Sequence, residues 1–239
     1  MTSNDDGGGE MESERLNRVY SSLRTRRRYE VWFLKIALAD GSGAWWFRYL
    51  LTNPGGGAAQ GGCPDLGTSP VQIWATWFPR VGRPESHIEN FPLTGLRLSG
   101  PNDPLHFEHG VNRLTSDACR GRITANGRVI EWDLRYHSTG GFVMSNVGWI
   151  GFSRTPHTDA VFTGEIRVDG HTVTGAPLGH GLQGHNCGFR HRHLWTWAHG
   201  LHRDEAGGLT SFEALEYEIA PWLYFRRGLL WQAGQLHRL

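Results

Sequence analysis

Residues 29–38, YEVWFLKIAL, together with AWWFRYLL at 44–51 and VQIWATWF at 71–78, decide the fold class. All three runs are rich in aromatic and β-branched side chains, which fit a pleated, half-buried surface. DGSG at 40–43 separates the first two, and the glycine-rich loop 53–68 precedes the third. CRGRI (119–123) and RVIEWDLRY (128–136) flank Asn126-Gly127, while VFTGEIRV (161–168) and HTVTGAP (171–177) flank Asp169-Gly170. Both dipeptides are preferred two-residue hairpin connections. GHNCGFRHRHLWTWAH (184–199), SFEALEYEI (211–219) and WLYFRRGLLWQAG (222–234) complete the series. With no long helical pattern, the chain reads as all-β, about a dozen antiparallel strands in a barrel or sandwich.

Composition narrows the function. At 239 residues the chain can bury a substantial core, in one large domain or two small packed units. A net charge of +1 gives no global field toward nucleic acid, and the basic groove needed for base stacking is not visible. Cys63, Cys119 and Cys187 are far apart and outside any CxxC spacing, which fits a reduced compartment without structural zinc. No leader-like or membrane-spanning apolar segment is visible, so a soluble, cytoplasmic protein is expected. Residues 1–28 end in RTRRR and read as a flexible, solvated tail with a short helix near Met11–Leu23; the alternative for the basic run is contact with acidic lipid or a partner.

The stretch 184–199 carries the strongest functional signal. Read as one strand, it places His191, His193, Trp195, Trp197 and His199 on one face, a suitable wall for an apolar, electron-rich ligand. The spacing His191-x-His193 also suits a metal, as in cupin iron sites, but no carboxylate follows between Leu194 and His199. Such a set would need Glu213, and hydrogen-bonded histidines beside tryptophan are the simpler reading. No metal and no cofactor are expected. Strand parity puts Glu213 at the end of an apolar stripe with Leu215, Tyr217 and Ile219, and Glu30 at the end of another with Trp32, Leu34, Ile36 and Leu38. A carboxyl held there is desolvated and becomes a general acid; the alternative is a solvated strand end, or pairing with Arg48 or Arg190. Eleven tryptophans exceed what a core needs and suggest an indole-lined cavity able to bind apolar chains and stabilise cations. No GxSxG, Walker A or dinucleotide fingerprint is present.

On these residues the chain resembles two related families. YEVWFLKIAL is similar to the opening strand of tocopherol cyclase-like proteins, E-G-W-[YF]-x-[KR], with Glu30, Trp32, Phe33 and Lys35 matching and Val31 in place of the glycine. His185, Asn186, Gly188, Trp195 and Trp197 fall on the H-N-x-G … W-x-W signature of carotenoid 1,2-hydratases, also called hydroxyneurosporene synthases. The resemblance runs from about Tyr29 to Leu215. It implies a lipocalin-like fold of two packed antiparallel barrels or half-barrels: 29–136 as the first unit, and 137–239, whole or abbreviated, as the second unit with the HNxG…WxW motif. It also implies protonation of a prenyl alkene to a tertiary cation, captured by water or an internal phenol. In such hydratases an Asp precedes the His-Asn pair; here Gly184 stands there, which moves the search for the proton donor elsewhere.

The expected function is acid-catalysed cyclisation, isomerisation or hydration of an isoprenoid or similar polyene. Glu213 or Glu30 is the acid, with His185 as alternative acid or orienting partner. Trp32, Trp45, Trp77, Trp195, Trp197, His191, His193 and His199 line the pocket, while Arg48 and Asn186 fix polar groups. The partner is an apolar small molecule, with room for peripheral membrane contact. A non-catalytic lipocalin-like carrier is the competing reading, and a metal-dependent oxygenase using His191 and His193 a third.

Overall fold

The computed structural model of the protein describes residues 6–26, 28–52, 69–189, 194–205, 208–233 and 235–239. After the helix α1 (Asp6–Asn17) the described residues are almost entirely strand. One sheet holds β1 (Tyr29–Leu38), β2 (Gly43–Thr52), β3 (Val71–Pro79), β4 (Glu85–Phe91), β5 (Leu96–Leu98) and β6 (His106–His109). It continues with β7 (Asn112–Thr115), β8 (Ala118–Ala125), β9 (Arg128–His137), β10 (Phe142–Asn146), β11 (Gly151–Val168) and β12 (His171–Gly188). The strand order is β4-β3-β2-β1-β12-β11-β9-β8-β7-β6-β5, with β10 on β11. A second sheet holds β13 (Trp195–Arg203), β14 (Leu209–Ala220), β15 (Leu223–Gln232) and β16 (Gln235–Arg238), in chain order.

The large sheet curls into a half-barrel. Its β4 end reaches β8, where the Thr124 amide donates to Glu89 Oε2 at 2.6 Å. The two expected hairpins form with both central residues at positive φ: Asn126 at 55° and Gly127 at 75°, Asp169 at 49° and Gly170 at 88°. That is the twist-matched turn that favours Asn-Gly and Asp-Gly.

The half-barrel interior is solid. Trp32, Phe47, Tyr49, Phe107 and Phe162 are fully buried there. Trp132 Nε1 donates to Tyr49 Oη at 2.9 Å, which in turn donates to the Arg120 carbonyl at 2.8 Å, so the polar tips of these two rings are satisfied, whereas the buried Trp32 Nε1 has no partner among the described residues.

Three expectations need correction. The segment read as a solvated tail is packed from Ser13 to Ser21: Leu16 and Val19 are buried, and Ser13 Oγ donates to the Pro156 carbonyl. Asn17 and Gln183 exchange reciprocal amide hydrogen bonds of 2.8 and 2.7 Å, and both are buried. Composition missed this because a few well-spaced apolar side chains suffice to seat a short segment that is otherwise polar. The boundary at 136/137 falls inside the large sheet, near the end of β9; the large sheet ends with β12 at Gly188, and the second begins with β13 at Trp195. For the same reason 184–199 is not one strand: His185 and Asn186 end β12, whereas Trp195, Trp197 and His199 belong to β13. His191 and His193 lie outside the described residues. Among the described residues no helix is long and apolar enough to cross a membrane.

Candidate active site

The outer face of β1 and β2 meets the inner face of β13 and β14. In β1 the alternation sends Glu30, Trp32, Leu34 and Ile36 into the half-barrel, and Val31, Phe33 and Lys35 toward the second sheet. In β2 it sends Trp45, Phe47 and Tyr49 inward, and Trp46 and Arg48 outward. Between the sheets lies a cavity of about 290 Å³ lined by Phe33, Trp46, Arg48, Asn186, Trp195, Trp197 and Glu213, among others.

Its walls are aromatic. Trp46 and Trp197 stack with centroids 6.3 Å apart, and the Phe33 ring stands edge-on to both, at 6.1 and 5.7 Å. The Arg48 guanidinium lies over the Trp46 and Trp74 rings, at 4.9 and 4.5 Å. Asn186 Oδ1 and Trp46 Nε1 are buried and find no hydrogen-bond partner among the described residues. A buried acceptor and a buried donor left this way cost about 1–3 kcal/mol each unless something supplies the missing bond.

Glu213 is the buried carboxyl of this cavity. Thr155 Oγ1, from β11, donates to its Oε2 at 2.6 Å, and Trp197 Nε1, from β13, donates to its Oε1 at 2.8 Å. Burial pushes this carboxyl above the usual carboxylate range, and the two hydrogen bonds only partly oppose that. Because an indole can only donate, Oε1 stays an acceptor; when the carboxyl is neutral its proton is on Oε2, and Thr155 Oγ1 then accepts from it.

Behind Glu213 a hydrogen-bonded chain runs from Lys35 through His199 to Ser211. Lys35 Nζ donates to His199 Nδ1 at 3.3 Å, and His199 Nε2 lies 3.2 Å from Ser211 Oγ, which donates to the Thr158 carbonyl. Burial, with Lys35 alongside, holds His199 down to about 3, and burial lowers Lys35 as well.

The residues expected to act together divide between two faces of the sheet. Glu213, Arg48, Asn186, Trp195 and Trp197 meet at the cavity, and His199 stands just behind it. Glu30, His185 and Trp32 do not join them. Glu30 accepts the Tyr20 and Ser21 amides at 2.8 and 2.6 Å, and His185 Nε2 at 2.8 Å. His185 Nδ1 donates to the Leu16 carbonyl and its ring stacks on Trp32, so this cluster anchors the N-terminal segment inside the half-barrel. Trp45 and Trp77 also pack in the interior, 5.1 Å from each other. Sequence reasoning missed Trp46, Phe33 and Thr155. Parity separates Trp46 from Trp45, but not which of the two faces the second sheet.

A larger recess of about 970 Å³ opens beside α1. Its buried polar groups are already committed: His157 is bonded to Ser138 Oγ and the Ser116 carbonyl, and Asp159 to Thr139. It therefore presents less chemistry than the Glu213 cavity.

No protein-family model and no curated protein sequence matches the chain. Solved structures do. The crystal structure of CghA with Sch210972 aligns with a TM-score of 0.59 and 12% identity, over 87% of this chain and 59% of that one. A structure of CghA gives 0.54 and 13%, with the same coverage. The crystal structure of kievitone hydratase from Nectria haematococca gives 0.52 and 14%, over 94% of this chain and 68% of that one. The chain thus spans about 59% of the length of the CghA structures. At such identity the likeness is one of fold: the protein is built like CghA and kievitone hydratase.

Proposed function

We propose that the protein is a cofactor-independent enzyme that protonates an alkene of an apolar small molecule, with Glu213 as general acid. The observation that carries this reading is the carboxyl itself, buried against aromatic rings, raised in pKa and opening on a cavity. Proton transfer from Oε2 to the alkene carbon leaves a carbocation and the Glu213 carboxylate. The faces of Trp46 and Trp197 stabilise that cation through their π systems. Water capture with loss of its proton to the Glu213 carboxylate gives hydration, capture by an internal hydroxyl whose proton returns the same way gives cyclisation, and return of a neighbouring carbon-bound proton to Glu213 gives isomerisation. Asn186 and Arg48 orient a hydroxyl or carbonyl of the substrate, so the favoured substrate is an apolar chain, isoprenoid or similar, with one polar end. A hydratase among the structural neighbours supports this chemistry without fixing the substrate.

The test is turnover of a panel of prenylated phenols and polyenes in D₂O, read by mass spectrometry as deuterium incorporated at carbon. Glu213→Gln is expected to lower the rate by about 10²–10⁴-fold, and wild-type turnover should fall as pH rises past the raised Glu213 pKa. Full activity in Glu213→Gln ends this reading. A non-catalytic carrier is the second reading, favoured because both Glu213 oxygens are already hydrogen-bonded. It is supported instead if the same compounds quench tryptophan fluorescence and none is converted.

A further inference from the structure

The mouth of the Glu213 cavity is ringed by apolar side chains that the fold leaves exposed. Val147, Ile150 and Phe189 line the cavity and are each exposed in part. Beyond them Trp149, at the tip of the β10–β11 hairpin, is 70% exposed, and Trp222, at the tip of the β14–β15 hairpin, is 90% exposed. The two tips stand at the same end of the cavity, because the Thr158–Ser211 and Thr155–Glu213 bonds run β11 and β14 antiparallel past each other, the start of β11 beside the end of β14. Trp149 and Phe189 rings lie 5.3 Å apart, the Phe189 amide donates to the Ile150 carbonyl, and the Glu218 amide donates to the Leu194 carbonyl. Trp222 stands at φ 59°, a left-handed turn position that a bulky side chain rarely takes. Neither burial nor turn geometry accounts for an indole there.

The rim is also basic on one side. The segment 18–28 carries five arginines and no acid. Within it Arg24 and Arg26 are exposed, as are Tyr20 and Leu23 in part. Arg28 ties this segment to the rim: its Nη2 donates to the Trp149 carbonyl at 2.6 Å, and its guanidinium lies over Phe189 at 4.3 Å and Tyr20 at 4.8 Å.

We propose that this rim docks on an anionic lipid surface, with Trp149 and Trp222 inserted among the headgroups and the exposed Arg18, Arg24 and Arg26 facing the lipid charge. Indoles favour the membrane interface, and arginines near an anionic surface add electrostatic attraction, so the two features reinforce each other. The cavity mouth then opens onto the bilayer, and apolar ligands reach it without crossing water. Docking goes beyond the Glu213 chemistry and stands on different residues.

The experiment is co-sedimentation of the full chain with vesicles of phosphatidylcholine alone and of phosphatidylcholine with phosphatidylserine. Wild type is expected to bind the mixed vesicles, with release at high salt and a blue shift of tryptophan emission. Trp149→Ser/Trp222→Ser should weaken binding by about tenfold or more, and Arg24→Ser/Arg26→Ser should remove the preference for phosphatidylserine. Glu213→Gln should bind vesicles as wild type does, so loss of turnover and loss of docking are read separately. Absence of wild-type binding to either vesicle overturns the proposal, and so does unchanged binding by the tryptophan double variant. It is also overturned if sedimentation shows a dimer that the double variant dissolves and that vesicles do not displace.

Discussion

Phe33 and Gly184 act as one unit. They are cross-strand partners, and a Cβ on residue 184 would fall inside the Phe33 ring. The ring fills the place above a glycine and from there meets both Trp46 and Trp197. Position 184, where the resemblance leads one to expect an acid, therefore faces the cavity but is given over to an aromatic wall. Gly184→Asp should destabilise the protein by about 1–3 kcal/mol through overpacking, measured by urea unfolding. Made in a Phe33→Ala background, which is itself destabilised, the same Gly184→Asp change should cost much less than in wild type. An unchanged cost of Gly184→Asp in that background would mean that the ring is not what excludes a side chain there. The two carboxylates separate in the same way. Glu30→Gln removes one partner of a buried pair and is expected to cost about 3 kcal/mol, while turnover per folded molecule stays near wild type. A Glu30 variant that folds normally but does not turn over would reverse the assignment of roles between Glu30 and Glu213.

At the scale of elements, much was legible and two things were not. Both hairpins with Asn-Gly and Asp-Gly centres stand where their dipeptides put them, because only such residues take two positive φ angles cheaply. The Glu213 stripe with Leu215 and Tyr217 also lines the cavity as parity implied. Parity fails on β1 and β2 for a physical reason: both faces of each strand are covered, one by the half-barrel core and one by the second sheet. A strand buried on both sides has no polar face to say which way it points. Trp32 and Trp45 were therefore assigned to the ligand, while Trp46 and Phe33 were overlooked. The N-terminal segment was illegible for another reason, since only two apolar side chains, Leu16 and Val19, seat it, and the rest of its attachment is polar: Asn17 to Gln183, and Ser13 to a carbonyl.

At the scale of the whole molecule, acid sensitivity follows from histidines kept neutral. Burial holds His157 down to about 4, against 6.5 for the free side chain. The folded state thus resists a proton that the unfolded chain accepts. The stability this gives is complete above pH 6.5 and is lost as pH falls toward 4, with an upper bound of about 3 kcal/mol. His199, held lower still, acts in the same direction. Unfolding free energy measured from pH 7 to 4 should fall, and His157→Gln should flatten the slope. A wild-type curve that is level over that range would contradict the neutral, buried imidazoles.

The hydrogen bond from Thr155 to Glu213 joins the two sheets, and so ties acid strength to the spacing between them. If the sheets part, water reaches the carboxyl and its proton returns to ordinary behaviour. When they close, the same proton is held above its usual range against aromatic rings. If Glu213 acts as proposed, a ligand that leaves this bond in place keeps the acid protonated, and one that parts the sheets lets water in and lowers its pKa. Selectivity would reside in how far a molecule spreads the interface, before any polar group is recognised.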